Sequence, residues 1–143
     1  MRVGLLRTVG AATALYGLAI TARPELLARP SGLVDASGAT AEHTRVSLRP
    51  LAWRDLASGL AMVAAPEGAA LRTATLVRIA ADFGDALLLG ATLPGRATRG
   101  KAAAVSVGWG ALSVLGLLTT GGADDGAVRT TASGPRGGDR ATA

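Results

Sequence analysis

Four apolar stretches organise the pattern of this chain, separated by polar segments rich in Pro, Gly and Arg. The first, Val3–Ala22, reads "VGLLRTVGAATALYGLAITA" and matches the ~20 residues needed to cross a bilayer as a helix. Arg7 lies close enough to its start to snorkel. The second, residues 51–65, lies between Pro50 and Pro66. At ~1.5 Å per residue it spans roughly 22 Å, short of a ~30 Å hydrocarbon core, so it must borrow flanking residues or thin the bilayer. The third, residues 69–93, is stopped by Pro94-Gly95, and the fourth, residues 102–120, carries no charge.

Between the first two stretches, Ala-Arg-Pro recurs at Ala22 and Ala28, and Glu25–Ala28 reads as one interfacial helical turn. The following "SGLVDASGATAEHTR" reads as a solvent loop. From Gly121 the composition turns to Gly, Thr, Ser, Asp and Arg, which cannot bury enough surface to order itself. The expected architecture is therefore all-α: a four-helix transmembrane bundle over 1–120 and a disordered C-terminal tail over 121–143. A cleaved signal is disfavoured, because Arg7 interrupts the first apolar run and Arg23-Pro24 is a poor cleavage neighbourhood.

Composition strengthens the membrane reading. Charged residues are 17% of the chain, against roughly 25% for a soluble domain. The apolar content is Ala, Leu and Val rather than aromatic, with 20 glycines, and small residues let helices approach closely in lipid. With 143 residues there is room for one domain, and with no cysteine there is no disulfide, thiolate nucleophile or Cys-based metal site.

The net charge of +5 could suggest nucleic acid, but the basic residues fall between apolar stretches rather than along one amphipathic face. Arg23, Arg29, Arg45, Arg49, Arg96, Arg99 and Lys101 flank one side of the expected bundle, and Arg2, Arg7, Arg72 and Arg129 the other. This asymmetry places the first and third connections inside and both termini outside a plasma membrane.

Several motifs are decoys. "GRATRGKA" matches a phosphate-binding loop through Lys101, but Ala102 lacks the Mg²⁺-binding hydroxyl and no strand precedes it. "GWGALS" has Ser113 where a dinucleotide fingerprint needs Gly; Ser106 and Gly110 read instead as a small-xxx-small packing pair. The single histidine, His43, has no converging partners and reads as solvated, and Trp53 reads as an interfacial anchor.

One apolar stretch carries charge that demands an explanation: "RIAADFGDALLLG". Arg78, Asp82 and Asp85 follow i, i+4, i+7 spacing and share one helix face. Consecutive spans run antiparallel, so Arg54 and Asp55 near the start of the second stretch approach the level of Asp85. Each such charge costs about 2.5–3.5 kcal/mol at mid-membrane, so the five must face inward. Two arginines against three aspartates leave one negative charge, which a proton or cation would balance. The set serves either as an ion-pair network fixing helix register or as a site for a proton, cation or small polar ligand.

Arg29-Pro30, "RDLASGLAM" from Arg54 to Met62, "FGDALLL" with Asp85, and "GKAAAVSVGWGALSVLGLL" together resemble a family of small four-span membrane proteins, domain-of-unknown-function family four-two-six-seven. The resemblance covers most of residues 3–118. It implies a four-span fold and membrane location, with Arg54, Asp55, Gly59 and Asp85 as recurrent features, and it implies no activity. Val107 departs from the His expected in many relatives.

Three functions are compatible with these features. The first is a non-enzymatic assembly or support role, with Gly10, Gly17, Gly110 and Gly116 favouring association within the chain or with a homo-oligomeric or membrane-protein partner. The second is a small oligomeric transporter or proton-coupled carrier using the Asp82/Asp85 face. The third is a membrane enzyme or quinone-linked accessory protein, which the missing Cys and lone His disfavour. No cofactor, metal or nucleic acid is expected, and the bilayer itself is the expected partner.

Overall fold

The computed structural model describes residues 1–119, and among them the chain is all-helical, with five helices and no strand. These are α1 (Val3–Ala22), the single turn α2 (Glu25–Ala28), α3 (Glu42–Ala64), α4 (Ala69–Thr92) and α5 (Arg96–Leu118). The tail expected at 121–143 lies outside the described residues. Two helices, α1 and α5, are long and apolar enough to cross a membrane, each with a mean hydropathy of 1.5. Six charged or titratable residues lower α3 (Glu42, His43, Arg45, Arg49, Arg54, Asp55), and four lower α4 (Arg72, Arg78, Asp82, Asp85).

The second apolar stretch, expected at 51–65, is the C-terminal part of a longer helix. α3 begins at Glu42 and runs through Pro50. Proline lacks an N–H and crowds the carbonyl four residues earlier, but its fixed φ is helical. The cost is one lost hydrogen bond, at the carbonyl of Val46. α3 therefore has 23 residues, about 34 Å at ~1.5 Å each, but the added residues 42–50 are mostly polar or charged, so the apolar run itself stays at 51–65. The helix expected at 102–120 likewise begins earlier, at Arg96, so the phosphate-loop look-alike lies on the first turns of α5.

α1 and α3 form one intimate antiparallel pair, and α4 and α5 form another; the pairs meet more sparsely along α3/α4 and α1/α5. The first pair is close because it lacks side chains where the helices touch. A Cβ on Gly59 would sit 2.5 Å from the Gly10 carbonyl oxygen and the Ala14 nitrogen, and one on Gly17 would sit 2.6 Å from the Ala52 oxygen. Gly10 and Gly17 of α1 are thus consumed inside the chain.

One end of the bundle is plugged by Leu6, Val9, Met62 and Leu71, with Trp109 and Leu117 packed against them. Arg7 adds to this end: its guanidinium donates to the carbonyl of Val63 and, at 3.3 Å, to that of Ala65. It thereby caps the unpaired carbonyls of the α3 C-terminus.

The opposite end is crossed by residues 23–41. Gly32, at φ 67°, turns this connection beside Pro94 and Thr98 of the α4–α5 corner. Farther along, Asp35 accepts hydrogen bonds from the Ser37 and Ala39 backbones at 2.8 and 3.0 Å and from the Ser37 hydroxyl at 2.6 Å. These bonds, the Ser37 hydroxyl foremost, hold its carboxyl below the usual range.

Candidate functional site

The five expected charges converge where α3 faces α4. Arg54 Nη1 donates to Asp85 Oδ1 at 2.9 Å and Nη2 to Asp85 Oδ2 at 2.5 Å. The same Nη2 reaches Asp55 Oδ1 at 3.1 Å. That oxygen also accepts from Arg78 Nη1 at 2.7 Å. Arg78 closes a second fork on Asp82, through Nε at 3.0 Å and through Nη2. The order is Asp85, Arg54, Asp55, Arg78, Asp82: alternating signs with Asp55 as the link.

Helix geometry explains the arrangement. Arg78 and Asp82 are one turn apart on α4 and pair along it. Arg54 and Asp55 are adjacent on α3, so they diverge around its surface. Arg54 reaches toward the C-terminal half of α4, and Asp55 faces inward to Arg78. Both Arg78 and Asp82 are buried, at 4% and 1% exposure, where unpaired charges could not persist.

The network borders a cavity of about 520 Å³, within the range of small-molecule sites. Asp55, Arg78, Asp82 and Asp85 form its charged wall. Opposite stand Val105, Ser106 and Trp109 of α5, with Thr13, Tyr16 and Ile20 of α1 alongside. Leu27, Pro30 and Ser31 of the 23–41 segment also line the cavity, and the exposed Lys101 stands at the rim. Trp109 belongs both to this lining and to the plug, and so forms the floor.

The remaining expected positions separate. Gly59 lies in the α1/α3 contact, away from the cavity. The Ser106/Gly110 pair divides: Gly110 packs beneath the Phe83 ring and the Asp82 Cβ, where an added Cβ would come within 3.1 Å, and Ser106 lines the cavity. His43 is exposed in the first turn of α3. Among the described residues no group of His, Asp or Glu is arranged to hold a metal ion.

Sequence reasoning missed Ser58, Tyr16, Trp109 and Lys101. Ser58 Oγ accepts from Arg78 at 3.4 Å and donates to the Asp55 carbonyl at 3.2 Å; its position three residues after Asp55, on the same face, was the available signal. Tyr16 and Trp109 had a weaker one. They are two of only four aromatic residues in the chain.

Compared with protein-family models, curated proteins and solved structures, the chain matches none.

Proposed function

We propose that this chain is a four-span integral protein of the plasma membrane whose interior cavity binds a small amphipathic molecule. Support for the membrane reading comes from where apolar and charged side chains lie. Leu15 and Leu18 of α1, Leu60 of α3, Leu76, Val77, Leu87 and Leu88 of α4, and Leu112 and Leu115 of α5 all face outward. Large apolar side chains thus stand exposed on all four long helices, the pattern of a surface that meets lipid or a partner. At the same level, Asp55, Arg78, Asp82 and Asp85 turn inward. The resemblance to four-span proteins agrees with this reading.

The observation that carries the binding function is that four of the five network residues line a cavity. Ion pairs serving only helix register would be enclosed by packed side chains. Assembly through glycine faces loses much of its basis, because Gly10, Gly17 and Gly59 are spent between α1 and α3. A carrier would also need passage to the far side, which Leu6, Val9, Met62 and Leu71 block. Binding is the function that this geometry supports without rearrangement.

The test is solvent extraction and mass analysis of protein purified from its own membrane, beside Ser106→Phe, which fills the cavity from α5. One compound retained in near-equal amount by the wild type and lost from the folded variant supports the reading. Equal lipid in both extracts, with no compound specific to the wild type, contradicts it.

A further inference from the structure

The cavity wall is asymmetric in charge and in hydrogen-bonding capacity. Arg78 makes four hydrogen bonds, to Asp82, Asp55 and Ser58, all inside the network. Arg54 is engaged by Asp85 and Asp55 and is not part of the wall. Arg78, the one arginine of the wall, has little donor capacity left for an anion; the remaining cationic donors are Arg54 Nε, outside the wall and without a partner among the described residues, and Lys101 at the rim. Acceptor capacity does remain: Asp55 Oδ1 takes both arginines, while Asp55 Oδ2 has no donor among the described residues. Within the network, three carboxylates against two guanidiniums leave a net charge of −1, and the only further charge of the lining is the exposed Lys101, so the buried wall itself is one positive charge short.

The rest of the lining is apolar or aromatic. Ile20, Leu51, Leu89 and Val105 offer hydrocarbon, and Tyr16 and Trp109 offer ring faces that attract cations. A bare metal ion fits poorly in a space this large and apolar, with no ligand set arranged for it among the described residues. We propose that the cavity takes an amphipathic organic monocation, an amine or quaternary ammonium with an apolar body, whose charge lies against the Asp55, Asp82 and Asp85 wall. This rests on the reading of the cavity as a ligand site. Lys101, exposed at the rim, is a positive charge that such a ligand must pass.

The test uses the full chain in detergent, with Trp53→Phe leaving Trp109 as the sole tryptophan. Three probes of similar shape are compared by equilibrium dialysis and Trp109 fluorescence: tetraphenylphosphonium (cation), tetraphenylborate (anion) and triphenylphosphine oxide (neutral). The expected result is saturable binding of the cation, about ten-fold or more tighter than either of the others. Lys101→Glu, outside the packed interior, should tighten the cation about three-fold. Asp55→Asn, if folded, should weaken it about ten-fold.

Binding of the anion or the neutral probe as tightly as the cation overturns the charge class and leaves the cavity reading standing. Weakening of the cation by Lys101→Glu also overturns it. If none of the three probes binds or alters Trp109, the cavity reading itself fails, and this inference with it.

Discussion

Arg54 grips Asp85 with both terminal nitrogens of its guanidinium, joining α3 to α4 across 31 residues of sequence. This two-point contact fixes orientation as well as distance. It matters because α3 and α4 share little other contact. The two tightly packed helix pairs are held in register there by charge, and the cavity lies in the space between them.

Removing one partner strands the other. Asp85→Asn should lower stability by about 3 kcal/mol, the lower end of the cost for breaking a buried pair, because the Arg54 side chain is 38% exposed. Asp85→Asn combined with Arg54→Gln should lose less than the single variant. Equal losses in a denaturation series would show that the pair contributes no coupling.

The α1/α3 contact tolerates no side chain at Gly59. Gly59→Leu should force the helices apart and cost more than about 3 kcal/mol, as overpacking against backbone cannot relax by rotamer change. Gly84→Ala, where an added Cβ meets nothing within 4 Å, should be neutral or slightly stabilising. Thermal midpoints of the two variants check the contrast; similar midpoints would rule out the close approach.

Orientation follows from charge. The connections at 23–41 and 93–95, with the helix ends beside them, carry the larger share of Arg and Lys and should face the cytoplasm. Because the chain has no cysteine, Ala36→Cys and Glu67→Cys each provide a unique thiol. An impermeant maleimide applied to intact cells should label position 67 and not position 36. The reverse pattern inverts the topology.

How much of this was legible in sequence depended on whether the signal was local. The shared face of Arg78, Asp82 and Asp85 follows from helical period alone, and the turn at Glu25–Ala28 follows from its flanking prolines. Pro50 misled because a proline marks a boundary only on average: its ring fits a helix that can forgo one hydrogen bond, and α3 starts eight residues before it. The role of Asp55 as the link between two arginines was not legible, since it depends on the rotation of α3 relative to α4. The cavity was less so. It arises from imperfect closure between helix pairs, and Tyr16, Ser106 and Trp109 meet there from helices that no local pattern aligns.

The central claim is that a lipid-facing bundle encloses an accessible cavity with one charged wall. Ser106 and Val107 are neighbours on α5, one lining that cavity and the other on the apolar exterior. Each is replaced singly by cysteine, and the protein in its native membrane is treated with the small cationic reagent trimethylammonium-ethyl methanethiosulfonate. The account predicts that position 106 reacts through the cavity while position 107, in lipid, stays unmodified in the intact mass. Equal modification at both positions, or reaction at 107 alone, would contradict it.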